Sequence, residues 1–507
     1  MGILTGTEPE RVFYFFEEIC QIPHGSGNEE KISNYLKAFA EERELFCIQD
    51  QWNNIIMIKE ATTGYEKEEP IILQGHMDMV AVKEAGSPID MEKEPLQLQK
   101  EGDFISAKGT SLGGDDGIAV AYLLALLDSR EISHPRLEVI LTVGEEVGME
   151  GAREIDVSML KGKRMLNLDN EEEGVLLASC AGGARADCKL PVEWEQRHGS
   201  VLHVQVSGLN GGHSGVEIIK ERGNANCILG RTLDALLQKA QVSLIRLEGG
   251  LADNAIPRQA DAWLVAQPAD IDACLATVRA MDEQIRQELA GKDDGVKISA
   301  WEDPMGGRSV QKMAQPTETD IQNQNVTEVS EETWKCLAPD SMQRAVAYLM
   351  AMPNGVQAMS VDVEGLVETS LNLGVMKLCG ECMQLSFAIR SARESAKVAL
   401  CRKLEAISHL SGAGMETRGD YPGWAYRKES PLRDKMVRIY EELYGASPKV
   451  EAIHAGLECG LFAGKIPGLD CISYGPDMKD IHTTKEALSI SSVKRVWEYL
   501  LEILGRK

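Results

Sequence analysis

The stretch GGDDGIAVAYLLALLDSREISHPRLEVILTVGEE, residues 113–146, decides the fold. A glycine-rich turn, Gly113-Gly-Asp-Asp-Gly117, launches an apolar run over 117–128 that is long enough for a helix. The run LEVILTV over 137–143 is short, apolar and rich in β-branched residues, which predicts a buried strand. It ends in the acidic pair Glu145-Glu146. Working outward, 54–59 (NIIMIK) and 70–74 (PIILQ) read as strands, 165–168 as another, and 11–19 and 29–41 as helices. Strands alternating with helices predict an α/β sheet. In such sheets ligands gather beyond the carboxyl ends of the strands, and here polar residues follow strand after strand.

Past residue 183 the texture changes. A strand is expected over 201–206, a mostly helical stretch over 217–238, and strands over 242–247 and 262–265 flanking an irregular loop. The stretch 305–333 is polar, contains Gly-Gly and lacks periodicity, so it reads as a long surface loop. From Tyr421-Pro-Gly-Trp424 onward the α/β pattern returns, with a helix over 431–444, a strand within 467–474 and a last helix over 490–505.

The chain has 507 residues, 53 Lys+Arg against 79 Asp+Glu, and a formal net charge of −26. This length suggests two or more domains. The charge argues against nucleic acid and anionic membrane surfaces as partners, since both need dense Lys/Arg patches. The most apolar run, Ile118 to Leu127, is short of the roughly 20 residues that a spanning helix needs. The N-terminus MGILTGTEPERVFYFF lacks the basic and apolar regions of a secretory signal. Twelve cysteines without framework spacing read as reduced thiols. The expected location is therefore the cytoplasm. Cys379-x-x-Cys382 has no partner pair and reads as structural.

Five segments each place a metal-ligand candidate at a strand end or turn: Gln74-Gly-His76-Met-Asp78, Gly113-Gly-Asp115-Asp116-Gly, Glu145-Glu146, Leu168-Asp169-Asn170 and Asp480-Ile-His482. Each alone is weak, because turn aspartates are usually caps and lone histidines usually belong to the core. Together, imidazole and carboxylate suit Zn, Mn or Co, and two His with three carboxylates could hold two divalent ions. Such a pair polarises a carbonyl and activates water. A ligating His needs an acceptor for its other ring N–H, and Asp78, two residues after His76, can serve. Of Glu145 and Glu146, one could ligate while the other moves a proton from water to the leaving amine.

These motifs resemble the co-catalytic zinc exopeptidases, the family of aminoacylases, carboxypeptidases, carnosinases and di- and tripeptidases, and more specifically its aminoacyl-histidine dipeptidase branch. The resemblance extends to Pro23-His-Gly-Ser-Gly-Asn-Glu-Glu30, Asn170-Glu-Glu-Glu-Gly174, Gly211-Gly-His-Ser-Gly215, Asp253-Asn-Ala-Ile-Pro-Arg258, Val367-Glu-Thr-Ser-Leu-Asn-Leu-Gly374, Tyr421-Pro-Gly-Trp424 and Ile453-His-Ala-Gly-Leu-Glu-Cys-Gly460. It implies one zinc on His76, Asp115 and Asp169, and a second on Asp115, Glu146 and His482, with Asp115 bridging and Co2+ or Mn2+ as substitutes. It also implies Asp78 as the residue orienting His76 and Glu145 as general base and acid. His213, Asn254 and Arg390 match positions that handle substrate polar groups, Arg390 suiting a peptide carboxylate. His454 and Glu458 lie in a Gly-rich turn as candidate contacts for the substrate N-terminus.

The implied architecture is an α/β catalytic domain from segments 1–183 and 420–507, with a large inserted α+β lid over 184–419. A homodimer through the lid is one arrangement the resemblance carries. The implied reaction is metal-dependent hydrolysis of unblocked dipeptides, Xaa-His and carnosine-like ones included. A tripeptidase or N-acyl amino acid deacylase on the same scaffold is the alternative, and a non-catalytic metal-binding scaffold a remote one.

Overall fold

The computed structural model describes residues 2–303 and 333–507. The chain divides into two units. The first comprises residues 1–180, 424–453 and 457–507, and the second residues 181–423 and 454–456.

Unit 1 is built on an eight-stranded sheet. Its strand order is Phe46–Gln49, Ile55–Lys59, Leu137–Thr142, Ile71–His76, Arg164–Asn167, Asp470–Ser473, Val175–Cys180 and Lys449–Ile453. The four central strands, from Leu137–Thr142 to Asp470–Ser473, pair in parallel. Leu137–Thr142 and Ile71–His76 are buried along their whole length. That is why they read as continuous apolar runs rather than as alternating ones: parallel strands are covered on both faces. The helix Gly114–Asp128 is buried from Gly114 to Leu127, and the helix Glu10–Cys20 packs Val12, Phe13, Phe16 and Ile19 into the same core. Parallel pairing sets His76 opposite Thr142 and Gln74 opposite Asn167. The three strands therefore end at one level, and the loops carrying Asp78, Glu145-Glu146 and Asp169 leave from there.

Among the described residues, unit 2 is built on a nine-stranded antiparallel sheet, in which Val367–Cys379 and Cys382–Ser391 form a long central hairpin. The helices Ala225–Leu237, Ile271–Glu288, Pro339–Ala351 and Glu394–Leu410 contribute buried residues to the core it shares. The helix expected over 217–238 is broken. A short 3₁₀ turn, Ile218–Lys220, is followed by Glu221 at φ +47°, and the helix proper starts only at Ala225. The Asn224 side chain caps it by accepting from the Asn226 and Cys227 amides. Cys379 and Cys382 face each other across the two-residue hairpin turn, and all twelve cysteines are free thiols. The polar stretch 305–333 lies outside the described residues except for Thr333, which opens the strand Thr333–Leu337. Among the described residues no helix is long and apolar enough to cross a membrane.

Candidate metal centre

In unit 1 the strand ends bring together the side chains of His76, Asp78, Asp115, Glu145, Glu146, Asp169 and His482. His76 Nε2 lies 3.1 Å from Asp115 Oδ1 and 3.6 Å from Asp169 Oδ1. His482 Nε2 lies 3.1 Å from Asp115 Oδ2 and 2.8 Å from Glu146 Oε1. The two oxygens of Asp115 thus face different imidazoles. Glu145 and Glu146 also approach His76 within the span of one ion. Asp116, joined to Asp115 by a cis peptide, also lies within the span of one ion from His76 and Asp169, while its Oδ2 accepts the His76 amide at 3.1 Å. Gly75 is required beside it, because a Cβ there would lie 2.6 Å from Asp116 Oδ2.

The donor set fits divalent cations. At each imidazole a single ring nitrogen faces two carboxylate oxygens, yet one N–H can point at only one of them. Glu146 Oε1 is buried, and His482 Nε2, 2.8 Å from it, also meets Asp115 Oδ2 at 3.1 Å. A single ion can satisfy both oxygens and the nitrogen together. The separations of 2.8–3.6 Å bracket the ~3.3 Å expected between ligands of one tetrahedral ion at about 2.0–2.1 Å. Electrostatics points the same way. Burial pushes Asp169 up to about 6 and Glu171, at the rim, up to about 7, with neighbouring carboxylates adding to the effect. Burial also pushes Glu145 well above the usual carboxylate range, against the pull of His76 and helped by Asp169, Glu458 and Glu146. So many carboxylates in one buried place call for positive charge.

The supporting contacts refine the expected roles. His76 Nδ1 lies 2.9 Å from the backbone carbonyl of Asp78 and 3.5 Å from its carboxylate. The carboxylate of Asp78 mainly holds the acidic turn: it accepts the Glu145 amide at 3.1 Å and the Glu146 amide at 3.4 Å. Ser26 Oγ donates to it at 2.8 Å, which gives the Pro23-to-Glu30 motif a task that its sequence did not reveal. Glu458 is fully buried. Its Oε2 accepts from Gln74 Nε2 at 2.5 Å and from Thr142 Oγ1 at 2.7 Å, and Asn167 Nδ2 donates to Gln74 Oε1 at 2.6 Å. This chain ties three central strands together just below their ends. As placed, Glu458 braces strands rather than presenting itself to a ligand, although its Oε1 has no partner.

The other expected substrate residues lie in unit 2. His213 sits on a two-residue strand paired with Ala255–Ile256, and the Ser214 amide donates to the Asn254 carbonyl at 2.8 Å. His213 and Asn254 line a cavity of about 1000 Å³. Arg390 approaches His213 Nε2 and the Tyr421 hydroxyl at 3.5 Å each. Its buried Nε has no partner, and among the described residues no carboxylate pairs with it. His454 Nε2 meets Ser370 Oγ at 2.7 Å. Burial, then the charge of Arg390, push the His454 imidazole down to about 3. Unfolded, the same ring binds a proton near pH 6.5. Its contribution to stability is therefore present above about pH 6.5 and lost as pH falls toward 3. Melting curves of wild type and His454→Gln are expected to draw together on acidification through this window, by at most about 1.4 kcal/mol per pH unit. A constant gap would contradict the buried neutral imidazole.

Comparison with known proteins gives four results. Residues 72–506 match the profile of peptidase family M20/M25/M40. The chain is 34% identical over 506 residues to the cytosol non-specific dipeptidase of Escherichia coli (strain K12), covering 99% of each. Its fold superposes on the crystal structure of aminoacylhistidine dipeptidase from Vibrio alginolyticus with a TM-score of 0.88 and 34% identity, covering 100% of this chain and 99% of the other. A tripeptidase from Staphylococcus aureus, at 15% identity and a TM-score of 0.53 over 98% of both chains, shares the fold.

Proposed function

The chain belongs to peptidase family M20/M25/M40, and from that premise we propose that it is a cytoplasmic two-zinc dipeptidase that cleaves unblocked dipeptides, Xaa-His among them. The observation that carries this reading is Asp115, whose two oxygens face His76 and His482 at 3.1 Å each. In this reading His76, Asp115 and Asp169 hold one ion, and Asp115, Glu146 and His482 the other. When bound, the ions supply Lewis acidity toward the scissile carbonyl and lower the pKa of water.

The chain's own residues do the rest. Glu145 accepts the proton of the attacking water and returns it to the leaving amine. The high proton affinity that burial gives its carboxyl suits both halves of that transfer. Asp78 fixes the amides of Glu145 and Glu146, so the base and its neighbouring ligand are set by one carboxylate. Arg390, which pairs with no carboxylate among the described residues, is the group proposed for the substrate's terminal carboxylate. His213 and Asn254 are proposed for its carbonyl and other polar groups.

A panel of Ala-His, Gly-Gly, β-alanyl-histidine, Ala-Ala-His and N-acetyl-histidine tests the assignment. The dipeptides are expected to be cleaved, and the tripeptide at a rate at least about tenfold lower, corresponding to 1.4 kcal/mol of discrimination. Preferred cleavage of the tripeptide or of N-acetyl-histidine would assign the chain to the tripeptidase or deacylase reading instead.

A further inference from the structure

Glu486 belongs to none of the groups described so far, yet its carboxylate is the most heavily engaged anion near the metal centre. Its residue is 3% exposed. Oε2 accepts the amides of Leu112 at 2.7 Å and Gly113 at 3.1 Å, and Oε1 accepts those of Gly114 at 2.7 Å and Asp115 at 3.4 Å. Four consecutive backbone N–H groups thus converge on one side chain. They belong to the turn that presents Asp115. Gly114 leaves room for this approach, since a Cβ there would sit 3.3 Å from Glu486 Oε1.

Glu486 also stands four residues after His482, in a segment folded tightly on itself. Thr483 Oγ1 donates to the Asp480 carbonyl at 2.7 Å, the Lys485 amide donates to Thr483 Oγ1 at 3.1 Å, and the Glu486 amide donates to the Thr483 carbonyl at 3.3 Å. Asp480 and His482 both lie at positive φ, +50° and +60°. Non-glycine residues hold that conformation only when their surroundings impose it. The strand Ala487–Ser489, which follows directly, pairs with Phe104–Ala107. The His482 turn is therefore anchored at its far end by the carboxylate that grips the Asp115 turn.

We propose that Glu486 is a positioning residue that locks the Asp115 turn and the His482 turn into one unit, and so sets the affinity of the metal position they share. The proposal rests on the two-metal reading above. Groups outside the direct ligands typically contribute about 10–100-fold to metal affinity, and Glu486 is expected to act in that range through four amides at once. Replacing it with glutamine turns one acceptor oxygen into an N–H donor facing two other donors.

The test is equilibrium titration of the chelated, full-length protein with Co2+, followed by calorimetry and by the visible absorption of the bound ion. Wild type is expected to bind two equivalents. Glu486→Gln should retain one site and lose about 10–100-fold in affinity at the other, with an altered cobalt spectrum. Glu486→Asp, which keeps the charge but withdraws it by one methylene, should fall between the two and carries the same expectation if the glutamine variant does not fold. Glu138→Gln is the control: Glu138 is a fully buried carboxylate that accepts the Lys161 and Gly162 amides. It should lower thermal stability and leave both affinities unchanged. Two Co2+ bound by wild type and by the Glu486 variants with equal affinity and spectra would overturn the proposal. Fewer than two bound by wild type would overturn the two-metal reading instead.

Discussion

Glu145→Ala is expected to lower kcat by about 10²–10⁴-fold, the usual contribution of a positioned acid–base group, while the protein keeps its full metal content. The expectation follows from how the acidic turn divides its labour. Glu146 points at His482, 2.8 Å away, and shares a potential ion with Asp115. Glu145 stands next to it, its amide held by Asp78 at 3.1 Å. Its carboxyl has a raised proton affinity through burial first and through nearby Asp169, Glu458 and Glu146 beyond that. A group in that state can take a proton and give it back within one turnover, whereas Glu146 is the one proposed as a ligand. Steady-state kinetics and metal analysis on the same preparation check both halves. Near-normal turnover would move the base elsewhere, with Glu171 at the rim the first alternative. Loss of metal together with activity would make Glu145 a ligand.

Asp115→Ala is expected to abolish measurable turnover and to weaken both metal positions by more than the ~10–100-fold typical of outer groups. Asp115 turns its two oxygens to different imidazoles, each at 3.1 Å. Its loss therefore uncouples the two positions and leaves the remaining carboxylates to repel one another. The neighbouring Asp116→Asn is the comparison. Asp116 spends its Oδ2 on the His76 amide at 3.1 Å, so this variant should keep two ions and most of its activity. Calorimetric titration with a divalent cation distinguishes the two variants. If Asp116→Asn lost the ions and Asp115→Ala kept them, the bridging role would pass to Asp116.

Much of unit 1 was legible in the sequence because its signals are local. Ile71–His76 and Leu137–Thr142 announce themselves as apolar runs, and the candidate ligands stand beyond their carboxyl ends, where ligands of parallel sheets gather. The stretch 217–238 is mostly helical, as its pattern predicts, but it contains a break that the pattern runs through. Gly223 and the positive φ of Glu221 interrupt it, and only the Asn224 cap marks the true start. The supporting contacts were invisible for a different reason. Glu486 grips a turn more than 370 residues upstream, Glu458 grips Gln74 from 384 residues away, and Ser26 reaches Asp78 across 52. No periodicity or motif records such pairings, because they exist only once the strands have assembled. His76 shows the same limit at short range. Spacing pointed to the Asp78 carboxylate as its second acceptor, whereas the nearer acceptor is the Asp78 carbonyl, and the carboxylate is occupied with the acidic turn.

The metal requirement of peptide cleavage is the most direct measure of whether this chain is a two-metal dipeptidase. Protein stripped with a chelator and dialysed is titrated with Zn2+ while Ala-His hydrolysis is followed at each addition. Negligible activity is expected without metal, with recovery complete at two equivalents per chain and two ions per chain by elemental analysis of the active species. Hydrolysis by the stripped protein at the rate of the loaded one would contradict that assignment.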